Sequence, residues 1–272
     1  MSVYTEDKRK VTTLRFAEMK QKGEKITMLT AYDYSMAKII DEAGVDSILV
    51  GDSASNTMIG NLTTLPITLD QMIYHARSVV NGAERALVIV DMPFGTCSGN
   101  PLKSLESAVR IMQETGADAL KIEGGKEIQE DIKKIIHAGI PVVSHLGLMP
   151  QSINKYGTYA VRAKDEKEAG KLISDCLLME EIGCFCLLLE KIPAKLAAEI
   201  TRQVKIPVIG IGAGIGVDGQ VLVIHDMMGI NKDFSPKYLR RYADLHTVMT
   251  EAALHYIRDV KEQNFPNESE CY

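Results

Sequence analysis

Six ionisable residues end short nonpolar runs of this chain, and their types suit metal-assisted acid–base chemistry. They are Asp52, Asp91, Lys121, Glu123, His145 and Glu190, found in the runs SILVGDS, LVIVDMP, ALKIEGG, PVVSHLG and CLLLEKI. A strand of a parallel sheet is buried on both faces, so a charge at its end is costly unless a reaction or a metal needs it there. We therefore interpret these residues as a candidate active site.

The carboxylates among them predict a divalent metal. Oxygen ligands with a single histidine and no cysteine suit Mg²⁺ or a similar cation better than zinc. Asp52 and Asp91 end adjacent predicted strands, so they could share one ion whose remaining positions are filled by a 2-oxo acid. Such a metal would stabilise the enolate that forms when a base removes the proton next to the ketone.

Three other residues fit the remaining chemical roles. Glu190 follows Leu187–Leu189, and these nonpolar surroundings are expected to raise the pKa of its carboxyl group and keep it off the metal, as suits a general base. Lys121 is expected to neutralise the substrate carboxylate. His145 could hydrogen-bond to the substrate or the enolate, although a lone histidine is commonly structural.

The spacing of Lys121 and Glu123 puts both side chains on one face of a strand, because they are two residues apart. For this pair alone, a simple ion pair explains the pattern equally well. The ionisable ends of four further strands favour a functional site.

The elements that must position these residues are strands alternating with helical segments. The predicted strands lie near 26–33, 47–52, 87–92, 119–124, 141–146, 185–190, 207–212 and 220–226. Eight such units in about 250 residues match a closed (β/α)8 TIM barrel better than an open, doubly wound sheet. We predict a single domain over residues 1–272, with an N-terminal helical segment near 11–22 and C-terminal helices near 235–263.

Two connections are longer than a barrel requires, the stretches that follow strands 2 and 5. They are predicted to cover the active site, although surface decoration would look similar.

Asp33 ends the first predicted strand, where a helix N-cap role is favoured over a catalytic one. The run PVIGIGAG could bind a phosphate or a flavin. The carboxylates predicted at the same end of the barrel would repel an anion, which argues against this interpretation.

Composition narrows the class of protein. The 272 residues are 46% hydrophobic and 25% charged, and the net charge of −5 comes without a basic cluster, so nucleic acid is not an expected partner. The N-terminus lacks the pattern of a secretion signal, and the nonpolar runs are too short for a membrane span, so we expect a cytoplasmic protein. Among the five cysteines, Cys186 shares the strand face of Glu190 and should act there as a small hydrophobic group.

The motifs around these residues resemble those of the ketopantoate hydroxymethyltransferase family. They are T-A-Y-D-Y-S, L-V-G-D-S, T-L-P-I-T, D-M-P-F, K-I-E-G-G, H-L-G-L-M-P-Q-S, P-V-I-G-I-G-A-G and D-G-Q-V-L-V-I-H-D. The resemblance implies a barrel assembled as a homodecamer. It also implies transfer of a hydroxymethyl group from 5,10-methylenetetrahydrofolate to 3-methyl-2-oxobutanoate, giving 2-dehydropantoate and tetrahydrofolate for pantothenate and coenzyme A synthesis.

Residue by residue, the resemblance implies the following roles. Asp52 and Asp91 would bind Mg²⁺ or another divalent cation, with Glu123 as a third acidic group at the metal. Ser53 would join Asp52, Asp91 and Lys121 in contacting the oxo acid, and His145 would lie near the substrate. Glu190 would accept the proton.

Two other functions remain open on the sequence alone. A metal-dependent lyase or mutase of the phosphoenolpyruvate mutase and isocitrate lyase type is similar in its barrel and metal aspartates, and it also handles 2-oxo acid enolates. A non-catalytic barrel that serves as a binding or assembly subunit is the alternative from a different class.

Overall fold

The structure, a computed structural model, describes residues 9–272. The N-terminal segment, for which no secretion signal is predicted, lies partly outside this range. Two compact units are distinguished, one ending at Leu222 and the other spanning Val223–Tyr272. The single-domain organisation stays a prediction. No helix in the described range is both long enough and nonpolar enough to cross a membrane.

The first unit is a closed barrel of eight parallel strands in sequential order, with β8 pairing back to β1. The strands are β1 (Ile26–Thr30), β2 (Ser47–Val50), β3 (Leu87–Asp91), β4 (Ala119–Glu123), β5 (Val142–Gly147), β6 (Cys186–Glu190), β7 (Val208–Ile211) and β8 (Gly219–Leu222). Every residue of β2 and β3 is buried, as expected for strands covered on both faces. The predicted (β/α)8 barrel is confirmed.

Helices connect the strands and also follow the barrel. They are α1 (Thr13–Lys22), α2 (Tyr34–Glu42), α3 (Ala54–Thr57), α4 (Leu69–Gly82), α5 (Pro101–Thr115), α6 (Gln129–His137), α7 (Ile153–Tyr156), α8 (Glu166–Glu181), α9 (Ala194–Gln203), α10 (Ile224–Met227) and α11 (Leu245–Lys261). Asp33 accepts the N–H of Met36 at 2.9 Å and begins α2, which confirms its predicted N-cap role.

The barrel interior is nonpolar toward the amino-terminal ends of the strands. Its strand residues are Ile26, Met28, Leu49, Leu87, Ile89, Ala119, Val143, Cys186, Leu188, Ile209 and Val221. Helix α1 adds Phe16 and Met19 to this cluster. Cys186 is fully buried within it, which confirms that its thiol acts as a small hydrophobic group.

The inward-facing residues continue from the nonpolar cluster to the candidate site at the carboxyl-terminal ends of the strands. Asp91 pairs with Lys121, and Glu123 pairs with His145. Glu190 lies beside Gly147 at the end of β6. Because side chains alternate along a strand, these inward residues continue the rows that begin in the nonpolar cluster.

Two predicted strand ends are wrong. β1 ends at Thr30 rather than residue 33, and β8 ends at Leu222 rather than residue 226. The pairing of β8 with β1 stops at Leu222 and Leu29. Beyond it the chain turns into α10, where the N–H of Met227 donates to the Val223 carbonyl at 3.0 Å. A short nonpolar run fits a helix as well as a strand, which explains the error.

The second unit contains α10 and α11. The predicted C-terminal helices begin near residue 235, but residues 235–244 are irregular and α11 begins at Leu245. Asp244 caps this helix by accepting the N–H of Thr247 at 3.2 Å.

Candidate active site

The six residues predicted from the strand ends meet at the carboxyl-terminal end of the barrel. Asp52, Asp91, Lys121 and His145 are 2–4% exposed. The side chain of Glu123 is 3% exposed and that of Glu190 is 14% exposed. Burial of so many ionisable groups in one place is typical of functional sites.

Asp91 joins the end of β3 to the turn after β2. Its Oδ2 accepts the main-chain N–H of Asp52 at 2.9 Å. This turn needs glycine at position 51, because a Cβ there would lie only 2.7 Å from Ser53 Oγ. Ser53 Oγ is in turn 2.8 Å from the hydroxyl of Tyr32. Asp52, Ser53 and Asp91 therefore form one edge of the site.

Lys121 lies at the centre of the cluster. Its Nζ is 3.2 Å from Asp91 Oδ1 and 3.8 Å from Glu123 Oε1. The same nitrogen is 3.1 Å from His145 Nδ1. The ion pair considered for Lys121 and Glu123 thus exists, but Asp91 is the closer partner. A cation shared in this way holds several strand ends together.

His145 connects the two acidic residues that sequence reasoning treated separately. Its Nδ1 is 3.5 Å from Glu123 Oε1, and its Nε2 is 3.3 Å from Glu190 Oε2. Glu190 therefore has an ionisable neighbour in addition to the nonpolar residues predicted around it. β5 and β6 are neighbours, so the inward side chain of His145 reaches the carboxylate at the end of β6.

The pKa shifts separate the two aspartates from Glu123. Burial raises the pKa of Asp52 well above its usual range, and repulsion by Asp91 and Glu123 adds to the effect. Burial also raises the pKa of Asp91, although Lys121 opposes it. For Glu123, burial acts in the same direction, but His145 and Lys121 outweigh it and lower the pKa. The charged forms of Asp52 and Asp91 are thus less favoured in this cluster than that of Glu123.

The two cations respond to the same carboxylates. Burial acts to lower the pKa of Lys121, but Asp91, Glu123 and Asp52 raise it above its usual value. Burial and the charge of Lys121 also act to lower the pKa of His145, while Glu123 and Glu190 raise it to about 9. Lys121 Nζ can only donate, so at 3.1 Å it can form a hydrogen bond to His145 Nδ1 when that nitrogen is unprotonated, while Nε2 faces Glu190 Oε2 at 3.3 Å.

The donor set fits a divalent cation. When all groups are ionised, the four carboxylates contribute −4 and Lys121 with His145 contribute +2, so the cluster carries −2. Within residues 9–272, the buried Asp91 Oδ1 and Glu123 Oε1 accept no hydrogen bond of regular geometry, although Lys121 lies 3.2 Å from the first and His145 lies 3.5 Å from the second. No three His, Cys, Asp or Glu side chains in that range form a metal cage. Mg²⁺ commonly takes one or two protein carboxylates, and Asp52 with Asp91 could supply them.

Gln151 is a site residue that sequence reasoning missed. It belongs to the long connection after β5, which was predicted to cover the site. Its side-chain amide donates to Asp52 Oδ2 at 2.8 Å, and its main-chain N–H donates to Glu123 Oε2 at 2.9 Å. The motif H-L-G-L-M-P-Q-S contained the residue, but spacing alone gives no signal for a contact between positions 99 residues apart.

A cavity of about 350 Å³ adjoins the cluster. Its lining shares Glu123 and Gln151 with the site and extends to Phe94, Tyr156 and Arg162. Its volume is within the range of small-molecule sites.

The glycines after β7 have a packing role. A Cβ on Gly214 would lie 2.4 Å from Ala194 Cβ, and one on Gly216 would lie 2.6 Å from Ala198 Cβ. Both alanines belong to α9, so the turn needs glycine in order to approach this helix closely. Packing against α9 therefore accounts for Gly214, the last residue of the PVIGIGAG run.

Solved structures share the barrel fold at low sequence identity. The chain is similar to phosphonopyruvate hydrolase, with a TM-score of 0.63 and 12% identity over 96% of this chain and 93% of that one. It is also similar to 2,3-dimethylmalate lyase, a member of the PEP mutase/isocitrate lyase superfamily, with a TM-score of 0.58 and 14% identity over 96% and 91%. These similarities show the fold alone.

Curated relatives are much more similar. The chain is 67% identical to 3-methyl-2-oxobutanoate hydroxymethyltransferase of Bacteroides fragilis, over 98% of both chains. It is 64% identical to the protein of that name from Porphyromonas gingivalis, over the full length of both, and 63% identical to that from Flavobacterium johnsoniae, also over both full lengths. The family model for ketopantoate hydroxymethyltransferase matches residues 10–268. The chain belongs to the ketopantoate hydroxymethyltransferase family.

Proposed function

We propose that this chain is a metal-dependent 3-methyl-2-oxobutanoate hydroxymethyltransferase of pantothenate biosynthesis. It transfers the one-carbon unit of 5,10-methylenetetrahydrofolate to C3 of 3-methyl-2-oxobutanoate, and with water this gives 2-dehydropantoate and tetrahydrofolate. The observation that carries the proposal is the full-length similarity to relatives of that name, in a chain whose barrel end gathers four carboxylates, a lysine and a histidine.

Substrate binding is assigned to the edge formed by β2, β3 and β4. Lys121 offers a buried positive charge to the carboxylate of the oxo acid. Ser53 contributes a hydroxyl next to Asp52, and Tyr32 orients that hydroxyl at 2.8 Å. Asp52 and Asp91 would hold a divalent cation, with Glu123 as the third acidic group beside it. When bound, the cation supplies Lewis-acid stabilisation of negative charge at the 2-oxo oxygen.

Proton removal is assigned to Glu190. Its carboxylate takes the C3 proton, and the electron pair of the broken C–H bond moves into the enolate of the oxo acid. His145 Nε2, at 3.3 Å from Glu190 Oε2, orients the carboxylate. Water releases the one-carbon unit from the folate as formaldehyde, with tetrahydrofolate as the leaving group. The enolate carbon adds to the formaldehyde carbon, and the resulting alkoxide takes up the proton held by Glu190.

The chain is also proposed to act as a homo-oligomer, and the resemblance implies a decamer. Helix α11 supports this, because its nonpolar residues recur at helical spacing on one face. Val248, Met249, Tyr256, Ile257 and Val260 are 44–60% exposed. Native mass spectrometry tests the proposal, and a monomer at micromolar concentration would contradict it.

A direct assay tests the activity. Protein with Mg²⁺, 3-methyl-2-oxobutanoate and 5,10-methylenetetrahydrofolate is expected to produce 2-dehydropantoate, detected by mass spectrometry, and EDTA should abolish the product. Phosphonopyruvate and glyoxylate are the matched alternative substrates. Turnover of either without 2-dehydropantoate would favour a mutase or lyase. Folded, metal-loaded protein without any turnover would favour a non-catalytic barrel.

A further inference from the structure

Gln151 connects the ends of three different strands. Its Nε2 donates to Asp52 Oδ2 at 2.8 Å and to the main-chain carbonyl of Met92 at 3.0 Å. Its own main-chain N–H donates to Glu123 Oε2 at 2.9 Å. A primary amide has two N–H donors, so the side chain has a partner for each of them. One residue therefore fixes carboxylates that follow β2 and end β4, and does so from the loop after β5.

We propose that Gln151 is the positioning residue of the acidic cluster, an inference that rests on the proposed metal-dependent function. By holding Asp52 Oδ2, its amide leaves Oδ1 as the oxygen that can face a cation. Its main-chain N–H occupies Glu123 Oε2 in the same way, and Oε1 is the oxygen that accepts no hydrogen bond of regular geometry from residues 9–272. Gln151 thus fixes one oxygen of each acidic group, while the other oxygen of Glu123 lies 3.5 Å from His145 Nδ1 and 3.8 Å from Lys121 Nζ.

The chemistry of the side chain fits this role. An amide donates hydrogen bonds without adding charge, whereas a glutamate here would place a fifth carboxylate beside Asp52. Asparagine is shorter by one methylene, so from the same backbone position it could not span the distance to Asp52 and Met92 together.

The loop that carries Gln151 is held by its own backbone. The N–H of Leu148 donates to the carbonyl of Glu190 at 2.9 Å, and the N–H of Ser152 donates to that of Met149 at 2.9 Å. Gly147 precedes the loop with φ of 92°, and a Cβ there would lie 2.5 Å from the Glu190 carbonyl oxygen. Glycine is thus needed for the loop to turn against β6, which sets the position of Gln151.

Metal binding by the purified protein tests the inference directly. Mn²⁺ is titrated into wild type and Gln151→Met, and the free ion is followed by electron paramagnetic resonance without substrate. Methionine keeps the size of the side chain and the main-chain N–H, but it cannot donate to Asp52. Loss of such a supporting hydrogen bond typically weakens metal affinity by about 10–100-fold, and we expect a rise of that size in the Mn²⁺ dissociation constant.

Gln203→Met is the matched control, because Gln203 is exposed on α9 and bonds to Glu199 at 3.1 Å. It should bind Mn²⁺ like wild type. An unchanged dissociation constant in folded Gln151→Met would overturn the positioning role and leave the proposed function intact. If Gln151→Met does not fold, Gln151→Asn is measured, and wild-type affinity there would overturn the role as well. Failure of the wild type to bind Mn²⁺ would overturn the metal-dependent function and this inference with it.

Discussion

The two ends of the barrel interior are built on the same strand faces but have opposite character. On β3, Ile89 is fully buried among nonpolar side chains, while Asp91, two residues later, is 2% exposed beside Lys121. On β4, Ala119 is followed by Lys121 and Glu123 in the same way. A shift of two residues along a strand therefore separates a packed core from a charged cluster.

Burial of side chains has opposite effects on the stability of the fold at the two ends. At the amino-terminal end, burial of nonpolar area stabilises the fold. At the carboxyl-terminal end, burial raises the pKa of Asp52 and Asp91 and leaves four carboxylates with two cations. Burial of these charges lowers the stability of the fold, and the proposed reaction explains why they are buried. We therefore expect substitutions at the carboxyl-terminal end to change activity and those at the amino-terminal end to change stability.

Asp91→Asn should give the largest effect. The amide oxygen can still accept the N–H of Asp52, but the charge that could hold a cation is lost. We expect kcat to fall at least about 10³-fold while the protein stays folded. Steady-state kinetics and thermal unfolding in EDTA check both parts. Near-normal turnover with normal Mg²⁺ dependence would remove Asp91 from the metal site.

Ile89→Ala tests the nonpolar, amino-terminal end of the barrel. Removal of buried carbon atoms leaves a cavity, and the free energy of unfolding should fall by about 3 kcal/mol. Denaturant unfolding measures this loss, with the smaller Ile89→Val as the graded control at about 1 kcal/mol. Folded Ile89→Ala should keep its kcat, so a large loss of kcat would show that the two ends are not separable.

Glu190→Gln should lower kcat by at least about 10²-fold, because the amide cannot take the C3 proton. Binding of metal and oxo acid should persist, since neither is assigned to Glu190. Calorimetric titration of both ligands alongside kinetics separates the two effects. An unchanged rate would assign the base elsewhere.

Lys121→Met should give the smallest functional effect, mainly on binding. Loss of a charged hydrogen bond to the substrate carboxylate is expected to raise the dissociation constant of 3-methyl-2-oxobutanoate about tenfold. Equilibrium dialysis in saturating Mg²⁺ measures it. A dissociation constant equal to that of wild type would count against carboxylate recognition by Lys121.

The barrel and most of its site could be predicted because they depend on local patterns. Nonpolar runs predicted all eight strands, and strand alternation put Lys121 and Glu123 on one face. The contact between His145 and Glu190 needed the strand register as well, and Gln151 needed the path of a loop. Hydrogen bonds made from irregular connections depend on backbone geometry, which residue spacing does not encode.

The central claim is that the charged end of the barrel removes the C3 proton of a 2-oxo acid. Exchange of this proton in 3-methyl-2-oxobutanoate can be followed by NMR in D₂O, with Mg²⁺ and then with EDTA, for wild type and Glu190→Gln. We predict Mg²⁺-dependent exchange with wild type and little exchange with Glu190→Gln. Equal exchange by both proteins, or none by folded, metal-loaded wild type, would contradict it.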